Sequence, residues 1–228
     1  MSISIISIEG NIGAGKSTFL EELKTMFSQN SSVVFLDEPV EIWESVKDKY
    51  GVSMLQKFYS NPKKYSFAFQ MMAYVSRLSN LRKMLESLKA EIKSEDDHKV
   101  IITERSIYTD KFVFAKMLYD EGNMEDVEFQ IYLKWFDEFS IRQLDSVIML
   151  QTAPEKSHER VLTRGRVGEV ISLEYLQKCE EYHKEMLAEL PHKAVFDANG
   201  DIYKNPDILE GWLKTTREIV LGFLYKTI

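Results

Sequence analysis

The segment GNIGAGKS, residues 10–17, is the sequence feature that most constrains the fold. A β-branched run at residues 3–8 precedes it, and apolar residues at helical spacing, among them Phe19 and Leu23, follow it. This strand–turn–helix context and the pattern G-x-x-x-x-G-K-[ST] predict a P-loop, whose backbone N–H groups converge on a phosphate. The lysine would neutralise β- and γ-phosphate oxygens, and the serine hydroxyl would bind Mg²⁺. The predicted nucleotide-binding residues, 10–18, are Gly10, Asn11, Ile12, Gly13, Ala14, Gly15, Lys16, Ser17 and Thr18.

Short apolar runs recur between long segments of helical character. They lie at residues 3–8, 33–36, 100–103, 147–150 and 194–196. Each run is nearly continuous rather than alternating, which is typical of strands that are buried on both faces. The pattern predicts an α/β fold with a five-stranded parallel sheet flanked by helices on both faces. No repeat or linker divides the chain, so we expect one domain over residues 1–228, with a solvated loop at 93–99 before the third strand.

Composition restricts the possible partners. The chain has 228 residues, 44% of them hydrophobic, and can bury a full core. A formal net charge of −7 argues against nucleic acid, because binding to its backbone depends on clustered cations. No stretch approaches the roughly 18 apolar residues of a membrane-spanning helix. The single cysteine, Cys179, excludes an internal disulfide framework, and without a targeting pattern we expect a cytoplasmic protein.

A long helix is predicted over residues 67–92. Its apolar positions keep a spacing of three or four residues: Phe67, Met71, Tyr74, Val75, Leu78, Leu81, Leu85, Leu88 and Ile92. Gln70 and Arg77 are seven residues apart and therefore share one side of the helix. On spacing alone, they are most simply two polar surface residues on a core helix.

Charged residues follow two of the predicted strands. Glu38 comes after the strand at 33–36, and Glu104 and Arg105 come after the strand at 100–103. Ligands bind beyond the carboxyl ends of the strands in an open parallel sheet. Glu38 could there act as a base for a hydroxyl nucleophile, although taken alone it is more simply a charged loop residue. Glu104 could help to hold Mg²⁺, and Arg105 could stabilise a transferring phosphoryl group.

Arginines cluster in the segment ERVLTRGRVGE. Arg160 and Arg164 lie on one face of a predicted helix, and Arg166 follows Gly165. They could be surface ion pairs of little energetic consequence. With a P-loop present, we favour a lid at about residues 158–170 that closes over phosphate and excludes water.

Together these motifs resemble the deoxynucleoside kinase family. The resemblance rests on IEGNIGAGKST, EPVEIW, YSFAFQMMAYVSR, ERSIYTDKFVFA, RGRVGE, LEYL and DANGDI, which cover nearly the whole chain in the family's order. It implies a P-loop kinase fold with an arginine-bearing lid. It also implies ATP- and Mg²⁺-dependent phosphorylation of the 5′-hydroxyl of a deoxynucleoside in nucleotide salvage, and a homodimer formed through a helical bundle.

The resemblance assigns roles to the predicted catalytic residues, Lys16, Glu38, Glu104 and Arg105. Glu38 would accept the proton of the 5′-hydroxyl, and Glu104 would contact the metal with Ser17 or itself be the base, so that choice stays open. Arg105 would hold the 5′-oxygen and the phosphate. The ATP site would also include Arg160, Arg164, Arg166 and, in a loop beside the adenine at residues 197–202, Asp201.

The resemblance also implies a nucleoside pocket, in which different residues contact the sugar, the edge of the base and the faces of the base. Its residues would be Glu38, Trp43, Tyr59, Phe69, Gln70, Arg77, Arg105, Asp110, Phe114 and Glu169. Tyr59 and Glu169 would bind the 3′-hydroxyl, and Gln70 would read the base, because an amide offers both a donor and an acceptor. The tryptophan and the two phenylalanines would form the apolar walls.

Arg77 and Asp110 resemble a pair that marks the enzymes for deoxycytidine and purine deoxynucleosides. A buried Arg–Asp pair is costly to desolvate, and is more plausible where it also bonds a polar base edge. We therefore expect a purine deoxynucleoside or deoxycytidine to be preferred over thymidine. The lid differs slightly from the animal pattern, since only Val167 and Gly168 separate Arg166 from Glu169.

Two alternative functions share the predicted fold. A nucleoside monophosphate kinase of the thymidylate type would need a second phosphate site, whereas EPVEIW and FQMMAYVSR favour a neutral acceptor. A non-catalytic kinase-like subunit could keep the fold and lose the chemistry. The presence of every predicted catalytic residue argues against such a subunit.

Overall fold

The five predicted strands form one parallel sheet. In the computed structural model, which describes residues 2–92, 94, 97–140, 144–166, 168–190 and 193–225, the strands are β1 (Ser2–Gly10), β2 (Val33–Leu36), β3 (His98–Glu104), β4 (Ser146–Gln151) and β5 (Lys193–Asp197). Their order is β2-β3-β1-β4-β5, with every pairing parallel. The prediction of a five-stranded parallel α/β sheet is confirmed. Part of the predicted loop at 93–99, namely 93, 95 and 96, lies outside the described residues.

Helices cover both faces of the sheet, as predicted. They are α1 (Lys16–Met26), α2 (Val40–Ser45), α3 (Met54–Ser60), α4 (Pro62–Glu91), α5 (Ile107–Thr109), α6 (Lys116–Asp120), α7 (Asp126–Phe139), α8 (Pro154–Arg164), α9 (Leu173–Glu189) and α10 (Pro206–Tyr225). Ile6 and Ile8 of β1 join the core formed with α1 and α10. Ile3 and Ile5 point to the other face and join α4, because successive strand residues alternate sides.

Helix α4 departs from its sequence pattern in two ways. It begins at Pro62, earlier than predicted, because the Asn61 side chain accepts the N–H of Lys64 and proline suits the first helical position. Gln70 and Arg77 are buried, so the interpretation of them as surface residues is wrong. Val75, which shares the apolar spacing, is instead 52% exposed.

A π-helical segment, Asp110–Ala115, joins α5 to α6. Such segments are rare and occur often at functional sites, because they re-aim side chains within a helix. Here the segment begins with Asp110, which is buried, and contains Phe114. Among the described residues, no helix has the length and apolar character needed to cross a bilayer.

Candidate active site

A cavity of about 950 Å³ opens at the carboxyl ends of the strands. It brings together most of the sequence-predicted site residues: Ile12, Gly13, Ala14, Gly15, Lys16, Ser17, Thr18, Glu38, Trp43, Tyr59, Phe69, Gln70, Arg77, Glu104, Arg105, Asp110, Phe114, Arg160, Arg164, Arg166, Glu169 and Asp201. Gly10 and Asn11 do not line it, but their carbonyl oxygens accept hydrogen bonds from Arg105 and Lys16. These two residues therefore help to position Arg105 and Lys16 through their backbone carbonyl groups.

The P-loop follows β1 and opens into α1. Gly13 has φ +80, and a Cβ atom there would lie 2.5 Å from the carbonyl oxygen of Ser157. Gly15 precedes α1 with φ +95, in the left-handed region that favours glycine. The two glycines thus allow the turn that aims the amino end of α1, with its partial positive charge, into the cavity.

Lys16 is buried at the start of α1. Its Nζ atom donates to the carbonyl oxygen of Asn11 at 2.8 Å. Burial, together with the positive charge of Arg105, lowers the pKa of Lys16 to about 7 against the opposing effect of nearby carboxylates. A bound phosphate would give this ammonium group a negatively charged partner.

Glu104, the last residue of β3, reaches the P-loop. The hydroxyl of Ser17 donates to its Oε1 atom at 2.9 Å. Burial, reinforced by the charge of Glu38, raises the pKa of Glu104. Hard oxygen donors beside a phosphate site suit Mg²⁺, which would favour the ionised carboxylate. Because the described residues contain no cluster of three or more metal-binding side chains, phosphate and water oxygens would have to complete its coordination.

Glu38 lies between two buried arginines. Its Oε1 atom is 3.2 Å from Nε of Arg105 and 3.1 Å from Nη2 of Arg77. Burial opposes ionisation of Glu38, but the charges of Arg105, Arg77 and Lys16 outweigh it and lower its pKa to about 2. Glu38 is thus a charged loop residue, and its charge is paired with two arginines.

Arg105 adopts a backbone conformation that is rare for residues other than glycine. Its φ is +61, and such outliers cluster at functional sites, where the surrounding structure holds them. Nη1 donates to the Gly10 carbonyl at 2.8 Å, and the guanidinium lies 5.0 Å from the centre of the Phe114 ring. Phe114 thus supports Arg105 as well as lining the cavity.

Arg77 links three parts of the site. Its Nε donates to Asp110 Oδ2 at 3.0 Å, its Nη1 to the Glu104 carbonyl at 2.7 Å and its Nη2 to Glu38. Burial disfavours its charge, but Asp110 and Glu38 more than compensate and raise the pKa of Arg77. The sequence-predicted pairing of Arg77 with Asp110 is present in the structure.

Aromatic side chains form one wall of the cavity. The rings of Trp43 and Phe69 meet edge to face at 5.5 Å, and Phe58 stacks on Phe69 at 4.5 Å. The indole N–H of Trp43 donates to the hydroxyl of Ser76 at 2.9 Å. On the same side, Gln70 is 2% exposed, and its buried Oε1 atom has no hydrogen-bond partner among the described residues. A buried amide oxygen without a partner is costly, and a ligand donor would satisfy it.

The described part of the predicted lid also lines the cavity. Arg164 Nη2 lies 2.6 Å from Glu169, which also accepts from the Tyr59 hydroxyl at 3.5 Å; Arg166 lies 3.8 Å away. Arg160 instead donates to the Gly200 carbonyl at 2.9 Å. Arg160 therefore connects α8 to the predicted adenine loop. Val167 lies outside the described residues.

The comparisons with known proteins decide the family. The protein-family model described as deoxynucleoside kinase matches residues 6–220 of the chain. The chain belongs to the deoxynucleoside kinase family. Deoxycytidine kinase 1 of Xenopus laevis is 34% identical, covering 94% of this chain and 89% of that protein. Deoxycytidine kinase of Mus musculus is 38% identical, with coverages of 86% and 79%. Mitochondrial deoxyguanosine kinase of Xenopus laevis is 32% identical, with coverages of 86% and 78%.

The match confirms the family resemblance, the P-loop kinase fold and enzymatic phosphoryl transfer from ATP. It does not support the two alternatives, the thymidylate-type kinase and the non-catalytic subunit.

Sequence reasoning missed several residues of this deoxynucleoside kinase. Phe58 lines the cavity, but one phenylalanine in a short helix carries no distinguishing signal. Glu9, fully buried in β1, accepts hydrogen bonds from the hydroxyls of Ser106 and Thr109. It thereby ties β1 to the segment that follows Arg105. A carboxylate in the middle of an apolar strand is the signal that could have identified Glu9, because a buried charge requires partners.

Proposed function

We propose that this protein transfers the γ-phosphoryl group of ATP to the 5′-hydroxyl of a deoxynucleoside, producing the 5′-monophosphate for nucleotide salvage. The observation that carries the proposal is the position of Glu38. Its carboxylate lies in the same cavity as the P-loop and the unpartnered amide oxygen of Gln70. A donor at the P-loop and an acceptor at Gln70 would bring their reacting ends together near this carboxylate.

The donor end is assigned from the P-loop. Lys16 and the N–H groups at the start of α1 bind the phosphates, and Ser17 with Glu104 holds Mg²⁺. When bound, Mg²⁺ supplies positive charge to the phosphate oxygens. Arg160, Arg164 and Arg166 shield the phosphates from water, and the loop that contains Asp201 lies beside the adenine. This assignment is supported by the chemistry of the side chains, which are cations and hydroxyls facing one cavity.

Glu38 is the proposed proton acceptor. A base must be ionised before it can accept a proton, and the two neighbouring arginines keep Glu38 in that state. When a bound phosphate shares the positive charge of Arg105, the carboxylate of Glu38 loses part of its electrostatic stabilisation and becomes more basic. Arg105 then stabilises the charge on the transferring group. Because Glu104 accepts a hydrogen bond from the hydroxyl of Ser17, we assign Glu104 to binding of the metal and not to the role of the base.

For the acceptor, we propose that purine deoxynucleosides or deoxycytidine are preferred over thymidine. Gln70 reads the base, and the Arg77–Asp110 pair offers both a donor and an acceptor to its polar edge. Trp43, Phe69 and Phe114 enclose the ring, while Tyr59 and Glu169 bind the 3′-hydroxyl. The names of the relatives, which are deoxycytidine and deoxyguanosine kinases, agree with this preference.

We also propose a homodimer. Val127, Ile131 and Trp135 recur every fourth residue on α7 and are 64%, 38% and 47% exposed. Val75 of α4 is exposed as well, and α7 packs against α4. A stripe of large apolar side chains on adjacent helices is typical of an interface. The single domain over residues 1–228 and the cytoplasmic location stay predictions.

The choice of acceptor tests the proposed function. The protein is incubated with Mg²⁺, ATP labelled in the γ-phosphate, and either the four deoxynucleosides or their 5′-monophosphates. We expect label in 5′-monophosphates and none in diphosphates, with Lys16→Met as the inactive control. Label that appears in diphosphates alone would instead identify a nucleoside monophosphate kinase.

A further inference from the structure

A completely buried histidine of α9 contacts Arg105. His183 has no exposed surface, and its Nε2 atom lies 3.3 Å from Nη1 of Arg105. Its other ring nitrogen, Nδ1, lies 2.6 Å from the carbonyl oxygen of Cys179, one turn earlier in the same helix. Phe114 meets the imidazole edge to face at 6.3 Å. His183 does not line the cavity, so its contact with the site runs through Arg105 and Phe114.

The two contacts determine the protonation of the ring. A carbonyl oxygen only accepts hydrogen bonds, so Nδ1 must carry the proton. A guanidinium only donates, so Nε2 must present a lone pair to Arg105. Only the neutral imidazole with its proton on Nδ1 satisfies both partners. An imidazolium would direct an N–H group at a guanidinium N–H group.

We propose that His183 is a positioning residue that holds the guanidinium of Arg105 in place for phosphoryl transfer. This inference rests on the role of Arg105 in the proposed function. Glu38 also contacts Arg105, but a carboxylate offsets its positive charge. A neutral imidazole accepts a hydrogen bond from the guanidinium and thereby holds it. It leaves the full positive charge of Arg105 available to the phosphate. Since Arg105 sits in a strained backbone conformation, such an anchor limits the positions its side chain can adopt.

The electrostatic surroundings agree with a neutral ring. Burial, followed by the positive charge of Arg105 and, more weakly, that of Lys16, lowers the pKa of His183 to about 3 despite the opposing hydrogen bond to the Cys179 carbonyl. The titratable group beside it on α9, the Cys179 thiol, has its pKa raised to about 12 by burial and is uncharged. At neutral pH, His183 therefore keeps its lone pair.

The kinetic test compares two substitutions of His183 in the full-length protein. His183→Phe keeps an aromatic ring, although a larger one, and removes the acceptor, whereas His183→Gln can place an amide oxygen near Arg105. We expect His183→Phe to lower kcat roughly tenfold or more with little change in either KM, and His183→Gln to restore part of the loss. Met186→Ala, at another buried position of α9, is the control: it should lower Tm without a comparable loss of kcat.

A double-mutant cycle shows whether the effect passes through Arg105. If it does, His183→Phe has almost no further effect on kcat in an Arg105→Ala background. Equal effects in both backgrounds would overturn the proposal. If Arg105→Ala itself leaves kcat unchanged, the role of Arg105 in the proposed function fails, and that result is distinct from a failure of the His183 contact.

The contact can be tested without activity. In protein labelled with ¹⁵N-histidine, we expect His183 to show the Nδ1–H tautomer and no titration between about pH 5 and pH 8. This measurement uses the unsubstituted protein and therefore does not depend on the folding of any variant. A proton on Nε2, or an ordinary titration in that range, would overturn the proposal.

Discussion

Glu38 and Arg105 form a partly buried ion pair across the carboxyl edge of the sheet, with Oε1 and Nε 3.2 Å apart. The pair joins the loop after β2 to the loop after β3, which are distant in sequence but adjacent in the sheet. Before substrates bind, each charge has a partner. The pairing explains how the site tolerates these charges when no substrate is bound. Substrates would replace the partners, and the two side chains would then be available for the reaction.

Removal of the Glu38 charge should abolish most of the turnover. We expect Glu38→Gln to lower kcat on the order of 100-fold, because an amide cannot accept the proton of the 5′-hydroxyl. Glu44→Gln, on the exposed side of α2, is the matched control and should leave kcat unchanged. Steady-state kinetics and circular dichroism of both variants provide the measurement. If Glu38→Gln retains near-wild-type turnover, the base is Glu104.

Replacement of the Arg77–Asp110 pair should change base preference. The double variant Arg77→Met/Asp110→Ala removes the polar groups and makes room for the 5-methyl group of thymidine. We expect the ratio of kcat/KM for thymidine to that for deoxycytidine to rise, although both values fall because Arg77 also contacts Glu38. The pair Lys111–Asp137, which does not line the cavity, is replaced by Met and Ala as the control for charge removal. An unchanged ratio in the Arg77/Asp110 variant would show that this pair does not select the base.

The low pKa of Lys16 predicts how stability depends on pH. In the unfolded chain the group titrates near 10.5, whereas in the folded protein it titrates near 7. The unfolded state therefore binds more protons between these values, and the penalty for burying charged Lys16 diminishes as pH rises. Relative to Lys16→Met, the free energy of unfolding of the wild type should increase by about 2 kcal/mol from pH 7 to pH 9. Urea denaturation at both pH values measures the difference; a constant difference would mean that Lys16 keeps its ordinary pKa.

A charge in the exposed stripe of α7 should prevent dimerisation. Trp135 is 47% exposed, so Trp135→Glu should leave the fold intact and halve the mass found by analytical ultracentrifugation. Tyr225→Glu, at an exposed position of α10, should keep the mass of the wild type. A wild-type protein that is already monomeric would contradict the proposed dimer.

The strands and the P-loop could be predicted because their signals are local. Continuous β-branched runs give strands that are buried on both faces, and glycines beside Lys16 suit a bound phosphate far better than a packed core. The start of α4 was missed because the Asn61 cap and Pro62 precede the apolar periodicity. Val75 keeps that periodicity yet is exposed, since spacing specifies a helical face and not what covers it.

The polar part of the site was harder to predict from residues alone. The burial of Gln70 and Arg77 depends on tertiary folding, which brings Glu38 and Asp110 to α4 from other elements. The family resemblance paired Arg77 with Asp110, whereas no local pattern marked Glu38 as a partner of Arg77. His183 lies 78 residues from Arg105 in sequence, and their contact depends on the packing of α9 beside the π-helical segment.

A panel of nucleosides tests the central claim most directly. With ATP and Mg²⁺, kcat/KM is measured for deoxyadenosine, deoxyguanosine, deoxycytidine and thymidine, and each product is identified as the 5′-monophosphate. We predict efficient phosphorylation of at least one of the first three and a lower kcat/KM for thymidine. A folded, ATP-binding protein that phosphorylates none of the four would contradict the proposed function.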